Sequence, residues 1–397
     1  MCVSAIEIKK GVYWVGAVDW DIRNFHGPSY HTQKGTTYNA YLVIDEKVTL
    51  IDLVDLHFVD DMINNIKEII DPSLIDYVVV NHVEPDHSGA FPKLMEYIPE
   101  AKVFCTKNGK EGMLHYYFGD YNYETVKTGD KLNIGEKTLE FIEAPMLHWP
   151  DSMFTYIKEV ALLMPNDAFG QHLASSHRFD DENDLCEVME EAKKYYANIL
   201  MPFNPLVLKK IQEIQKMGLE FDMIAPSHGI IWRTDPGKIV EKYLSWSQNE
   251  TKRKAVVVYD TMWNSTQLMA KAIVDGLISE GIETKLYRAS KSDVNDIMTE
   301  VLDAKAVLIA SSTINNTMLP HLAYLLEEMM GLKPKKKIGA AFGSYGWGKG
   351  AVKNIEKKMK ETGIELVKEG LEIKYVPTEA DLKTCFEYGK EIGKMIE

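Results

Sequence analysis

Apolar and polar positions alternate in two different ways along this 397-residue chain. Up to about residue 248, short β-type runs mix with helical periodicity. The strands expected there are "VYWVGAV", "YNAYLVI" and "VTLID" around the turn Asp45-Glu46-Lys47, then "YVVVN", "KVFCT", "LEFIEA", "ALLMP" and "DMIAP". Helical spacing marks residues near 56–70, 88–98, 182–217 and 236–247. Beyond the polar stretch "SQNETKRK" the pattern becomes strictly β-α. Its strands are "AVVVYD", "TKLYRA", "AVLIAS", "IGAAFGS" and "EIKYVP", with amphipathic helices between them. The expectation is an α/β protein of two domains, residues 1–250 as a sandwich of sheets and helices and residues 251–397 as a doubly wound parallel sheet.

Composition narrows the class. No apolar run reaches the roughly 20 residues that span a bilayer, and "MCVSAIEIKKGVYW" lacks the layout of a signal peptide, so the expected location is cytoplasmic. A net charge of -14 and a pI near 5.4 argue against a nucleic-acid partner. The basic run "LKPKKK" reads as a solvated loop. Cys2, Cys105, Cys186 and Cys385 are scattered, with no CxxC pair to hold zinc or an iron-sulfur centre, and read as ordinary reduced residues.

The chemistry is crowded into "VVVNHVEPDHSGAF", residues 78–91. His82, Glu84, Asp86 and His87 follow directly on an apolar strand. Alone, this could be a polar turn that caps a helix. However, His148 follows "LEFIEAPML", Asp167 follows "ALLMPN" and His228 follows "DMIAPS", so four strand-end loops bring imidazoles and carboxylates to one rim. That set is too large for one tetrahedral ion and suits two metals with a shared carboxylate.

This grammar resembles the metallo-β-lactamase superfamily, an αββα sandwich whose hydrolytic members carry HxHxDH and bind zinc. Here Glu84 stands where that pattern has histidine, and an extra hard oxygen ligand favours iron or manganese.

In the second domain the strand ends carry hydroxyls, amides, glycines and aromatics. "TMWNST" supplies Thr261, Met262, Trp263, Asn264, Ser265 and Thr266 at a helix start that can hold a phosphate. "STINNT" adds Ser312, Thr313, Asn315 and Asn316. "GSYGWGKG" adds Ser344, Tyr345, Gly346, Trp347 and Gly348, whose rings can flank an isoalloxazine. There is no GK[ST], which disfavours a nucleoside triphosphate. Each loop alone is ordinary α/β punctuation; together they resemble a flavodoxin and imply FMN.

A lactamase-like domain with HxExDH fused to a flavodoxin-like domain resembles the flavodiiron proteins, or A-type flavoproteins. The resemblance implies reduction of nitric oxide to nitrous oxide or of dioxygen to water. It places His82, Glu84 and His148 on one iron, Asp86, His87 and His228 on the other, and Asp167 between them. It also sets His26 and Tyr196 near the distal pocket as proton or hydrogen-bond donors, with Phe25 and Trp149 as walls. His31, His57, His115, His172 and His177 are read as ordinary histidines.

It further implies a head-to-tail homodimer, or a tetramer of such dimers, because metal and flavin belong to different domains. The chain ends soon after the second domain, so a separate electron donor is expected, a rubredoxin or a reduced deazaflavin. The competing readings are a thioester or lactam metallohydrolase with an accessory flavodoxin domain, and an electron-transfer flavoprotein with a structural metal.

Overall fold

The computed structural model describes residues 4–27 and 29–396, so Cys2 lies outside the described residues. The chain divides into two compact units. The first comprises Met1–Tyr195 and Pro205–Leu244, and the second comprises Tyr196–Asn204 and Ser245–Glu397.

The first unit is built on two sheets. In the seven-stranded sheet, the strands Ile6–Lys9, Val12–Trp14, Tyr41–Val43, Thr49–Ile51, Tyr77–Val79, Lys102–Cys105 and Asn122–Thr125 are neighbours in that order. The five-stranded sheet runs Lys131–Asn133, Thr138–Glu143, Met153–Ile157, Leu162–Met164, Met223–Ile224. Period-two alternation sends Tyr41, Val43, Ile51 and Val79 from one sheet, and Leu139, Phe141, Leu162 and Met164 from the other, into a single core. Each such side chain contributes about 1.5–3 kcal/mol by leaving water, which fixes the register and hence where each strand ends. The strands ending at Val79, Glu143, Met164 and Ile224 each release a loop that carries expected site residues.

Some elements escape pattern reading. Met153–Ile157 is buried at every position, so it lacks the alternation of a half-exposed strand. Lys107–Tyr116 contains Gly109 and Gly112, which read as loop signals, yet Thr106 caps the helix by accepting from Gly109 N. The region 182–217, expected as one helix, is helical over Leu185–Tyr195 and Asn204–Met217. Between them lie a wide π-type turn, Tyr196–Leu200, and a 3-10 turn, Met201–Phe203. Pro202 has no N–H to donate to an α-helical ladder, and Pro205 suits the start of the next helix.

The second unit has a parallel sheet in which Glu283–Arg288 and Ala304–Ser312 flank Lys252–Asp260, and Ile338–Tyr345 follows Ala304–Ser312. The last position is shared by Glu365–Leu366 and Leu371–Lys374. In order of chain appearance this is 2-1-3-4-5, the order expected of the doubly wound sheet. Val257, Leu308, Ala340 and Phe342 are fully buried against Met269, Ile273 and Leu277 of the helix Ser265–Ser279.

Candidate functional site

Four loops of the first unit bring the expected ligands together. His82, Glu84, His148 and Asp167 form one group that could hold a metal ion, and Asp86, His87 and His228 form another. Asp167 faces both. Its Oδ2 lies 3.2 Å from His148 Nε2 and 3.7 Å from His82 Nε2, while its Oδ1 lies 2.9 Å from His87 Nε2 and 3.7 Å from His228 Nε2. Each group also has a carboxylate of its own. Glu84 Oε2 is 3.2 and 3.3 Å from His82 and His148 Nε2, and Asp86 Oδ2 is 3.2 and 3.0 Å from His87 and His228 Nε2.

The electrostatics match this crowding. Burial opposes charge on Asp167, yet His87 and His148 hold its carboxyl well below the usual range. Burial likewise opposes charge on Glu84, and hydrogen bonds from His148, His26 and His82 outweigh it. Burial would lower His87, but Asp86 and Asp167 raise it to about 9. Even so, Asp86 Oδ1 is buried without a hydrogen-bond partner among the described residues, and His87 Nε2 and Asp167 Oδ2 lie close to Asp167 Oδ1 and His148 Nε2 without meeting them in hydrogen-bonding geometry. Orphaned acceptors and an imidazole nitrogen converging on one space are what a cation would satisfy, so the residues fit a metal pair.

Residues that pattern reading did not single out support these ligands. His82 Nδ1 meets Asp151 Oδ2 at 2.9 Å, and His228 Nδ1 meets the Thr37 carbonyl at 2.7 Å, which aims each Nε2 into the centre. Asp52, fully buried and with φ of 55°, accepts from Asn81 N and Asn81 Nδ2 at 2.8 and 2.9 Å and from Asn166 Nδ2 at 3.2 Å. Asn81 precedes His82 and Asn166 precedes Asp167, so one carboxylate ties two ligand loops together. Next to it, Leu53 N donates to His87 O at 3.0 Å. Asp52→Ala is expected to orphan both asparagine amides and to destabilise the protein by about 1–3 kcal/mol per stranded donor, read from chemical unfolding. No motif marks Asp52; its signal is only that of an acidic residue directly after an apolar strand.

His26 joins the site, with Nε2 3.0 Å from Glu84 Oε1. Phe25 packs on His172 and His228 at ring-centroid distances of 4.3 and 5.4 Å, and Trp149 stands edge-on to His82 at 5.1 Å. One expectation is corrected here. Tyr196 is buried in the second unit, its ring 5.1 Å from Trp246 and its hydroxyl donating to Asn204 Oδ1 at 2.6 Å. Tyr195, the last residue of the preceding helix, is the tyrosine beside His172 and His228, at 5.1 and 6.4 Å. His172, read as ordinary, is fully buried 4.8 Å from His228 and bonded through Nδ1 to Thr36 Oγ1. Burial and His228 keep its imidazole well below the usual value, hence neutral.

In the second unit the three expected loops surround a cavity of about 700 Å³, within the range of small-molecule sites. Met262, Trp263, Ser265, Ser312, Thr313, Asn315, Asn316, Ser344, Tyr345, Gly346, Trp347 and Gly348 line it, together with Ile314, Tyr375 and Val376, which pattern reading missed. Trp263 and Trp347 are 87% and 96% exposed, open platforms for a flat ring. Asn264, Thr261 and Thr266 do not line the cavity wall. Asn264 turns the chain into the helix with φ of 68° and leaves the N-terminal N–H groups without a side-chain cap. Thr261 Oγ1 is buried without a hydrogen-bond partner among the described residues. Thr266 Oγ1 lies 3.0 Å from Ser312 Oγ and 2.9 Å from Ser344 Oγ, which joins the three strand ends. Uncapped helix N–H groups beside a spare hydroxyl fit a phosphate ester.

The two sites can be set beside known proteins. Residues 36–229 match the family described as ODP family beta lactamase, and residues 257–389 match Flavodoxin. Over 393 residues the chain is 54% identical to the nitric oxide reductase of Moorella thermoacetica, covering 98% of both proteins. The chain belongs to the flavodiiron protein family. Among solved structures, this flavodiiron protein superposes on the rubredoxin oxygen:oxidoreductase of Desulfovibrio gigas with a TM-score of 0.97 and 37% identity, covering 99% and 98% of the two chains. It superposes on the flavodiiron protein of Giardia intestinalis with a TM-score of 0.95 and 38% identity, covering 99% and 96%. It is also 45% identical to the anaerobic nitric oxide reductase flavorubredoxin of Vibrio vulnificus, over 98% of this chain and 80% of that protein. Its named relatives are oxidoreductases, the match to Flavodoxin implies a flavin, and the flavodiiron neighbours imply a diiron centre for which the two residue groups are fitted. No described helix of this flavodiiron protein is long and apolar enough to cross a membrane.

Proposed function

We propose that this protein reduces nitric oxide to nitrous oxide, and dioxygen to water, at an iron pair in residues 1–250, with electrons delivered through FMN held by residues 251–397. The observation that carries this reading is Asp167, whose two oxygens face two different histidine groups. His82, Glu84 and His148 would hold one iron and Asp86, His87 and His228 the other. Glu84 and Asp86 give each subsite its own hard oxygen, which favours iron over zinc.

When bound, the iron pair and reduced flavin would supply the two electrons that couple two nitric oxide molecules, or the four that convert dioxygen to water. The chain's own groups do the rest. The convergence of both subsites on Asp167 would hold two small substrates within coupling distance, a proximity effect. His26, bonded at Nε2 to Glu84, places an exchangeable proton at the rim. Burial and the charge of Asp167 hold the Tyr195 phenol well above its usual value, so its O–H stays a donor. Phe25 and Trp149 wall the space with apolar surface, which suits small uncharged gases.

The metal and flavin residues are carried by separate compact units. This supports a head-to-tail homodimer, or a pair of such dimers, in which one subunit's flavin serves its partner's metals. A rubredoxin is the proposed donor, and a cytoplasmic location goes with that pairing. In the FMN site, Thr266→Val keeps the shape and removes the hydroxyl between Ser312 and Ser344. FMN affinity is expected to fall by about tenfold because Ser312 and Ser344, which line the cavity, lose the hydroxyl that holds them, as read by flavin fluorescence titration.

The reading is tested by expressing the chain with iron and zinc both supplied, then measuring bound metals, bound FMN and gas consumption with reduced rubredoxin. Iron, FMN and donor-dependent consumption are expected. Bound zinc with thioester hydrolysis that needs no reductant would overturn it in favour of a metallohydrolase.

A further inference from the structure

The two ligand groups are matched in their directly facing side chains. Each has two imidazoles and a carboxylate of its own, and Asp167 serves both. What differs is the group behind three of the four rings, those of His82, His228 and His87. His82 Nδ1 faces a carboxylate, Asp151 Oδ2, at 2.9 Å. His228 Nδ1 faces a neutral main-chain carbonyl, that of Thr37, at 2.7 Å. His87 Nδ1 is buried with no partner among the described residues.

Asp151 is itself held in place. The same Oδ2 accepts from Val83 N at 2.8 Å, and its main-chain oxygen accepts from Thr106 Oγ1 at 2.9 Å. It is 4% exposed, and His82 is fully buried, so solvent does not dilute the pair. Asp151 also sits three residues after His148, so it joins the loops of two ligands of one group.

A ring that ligates through Nε2 carries its proton on Nδ1. Donating that proton to an anion leaves more electron density on Nε2 than donating it to a neutral carbonyl, and more again than donating it to nothing. A stronger donor stabilises the more highly charged metal.

We propose that Asp151 is a positioning residue that, through His82, makes the His82–Glu84–His148 subsite keep the higher oxidation state, so that the Asp86–His87–His228 subsite accepts the first electron. The inference rests on the iron-pair reading above. The step is the transfer of one electron from an added reductant to the pair; Asp151 neither gains nor loses a bond or a proton.

The experiment is a reductive titration of the full-length, iron-loaded protein with dithionite, with the half-reduced state followed by electron paramagnetic resonance and Mössbauer spectroscopy. Wild-type protein is expected to reduce in two separated one-electron steps. Asp151→Asn keeps the acceptor and removes the charge. It should retain iron but narrow the separation, so that the largest half-reduced signal falls several-fold. Asp151→Ala, which loses the hydrogen bond as well, should bind iron about 10–100-fold more weakly. An unchanged or wider separation in Asp151→Asn would overturn the proposal. So would a single two-electron step in wild-type protein, a result that needs no variant to fold. Failure to bind iron at all would instead refute the parent reading.

Discussion

Asp167→Ala is expected to strip metal from both subsites at once and to abolish gas reduction. Asp167 Oδ2 serves His148 and His82, and Oδ1 serves His87 and His228, so one side chain touches both groups. Removing the carboxylate takes a ligand from each metal and the charge that binds them as a pair. It also leaves His87, which Asp86 and Asp167 raise to about 9, with half of its anionic surroundings in a fully buried place. Breaking a buried ionic contact from one side costs about 3–5 kcal/mol, so the metal-free variant should also unfold more easily. The loss of activity should exceed the roughly 10–100-fold that removal of an outer partner produces. Asp167→Asn separates charge from volume, since it keeps the size and one acceptor oxygen and should still lose most iron. The measurement is metal content per chain alongside nitric oxide consumption. Full iron occupancy in either variant would remove Asp167 from the centre.

Glu84→His is expected to turn the metal preference from iron towards zinc and to extinguish reduction. The substitution recreates the HxHxDH pattern of the hydrolytic lactamase-like enzymes. It exchanges the hard oxygen that faces His82 and His148 for a softer nitrogen. It also removes the anion to which His26 Nε2 is bonded at 3.0 Å, so the rim histidine loses its anchor. With Glu84 gone, the group keeps only its share of Asp167 as a negative ligand, and the oxidised iron pair is left under-compensated. Activity should fall by at least about a hundredfold even where metal is retained, because the groups at a reacting centre act as a unit. Metal analysis after growth with equal iron and zinc reads the preference, and gas consumption reads the function. Retained iron and retained activity would show that Glu84 is interchangeable with histidine here.

The ligand loop is legible in the sequence because four of its chemically active residues follow one apolar strand within six positions, and a strand end is where an α/β fold displays such groups. The other three follow strands as well, and period-two burial puts those strand ends on one rim. The strand order of the second unit is legible for a similar reason, since strictly alternating β and α segments leave few topologies open.

What is not legible depends on distances across the fold. Asp52 and Asp151 look like any acidic residue beside a strand, and only the folded chain shows that one ties Asn81 to Asn166 and the other backs His82. Tyr195 and Tyr196 are equivalent by composition. Neighbouring residues of a helix point roughly 100° apart, and a hydrophobic pattern does not tell which of two adjacent tyrosines faces His228. His172 was hidden because a lone histidine after a polar loop has no partner until Thr36 is brought beside it from 136 residues away. Tyr375 and Val376 follow the edge position of the parallel sheet, which is split between two short pieces.

The central claim is that electrons pass from flavin to an iron pair and on to nitric oxide. The measurement that tests it most directly is rapid anaerobic mixing of the fully reduced protein with nitric oxide, following flavin absorbance and the nitrous oxide formed. Fast flavin reoxidation with stoichiometric nitrous oxide, lost when iron is removed, is the predicted result. Slow reoxidation that is indifferent to iron, with no nitrous oxide, would contradict it.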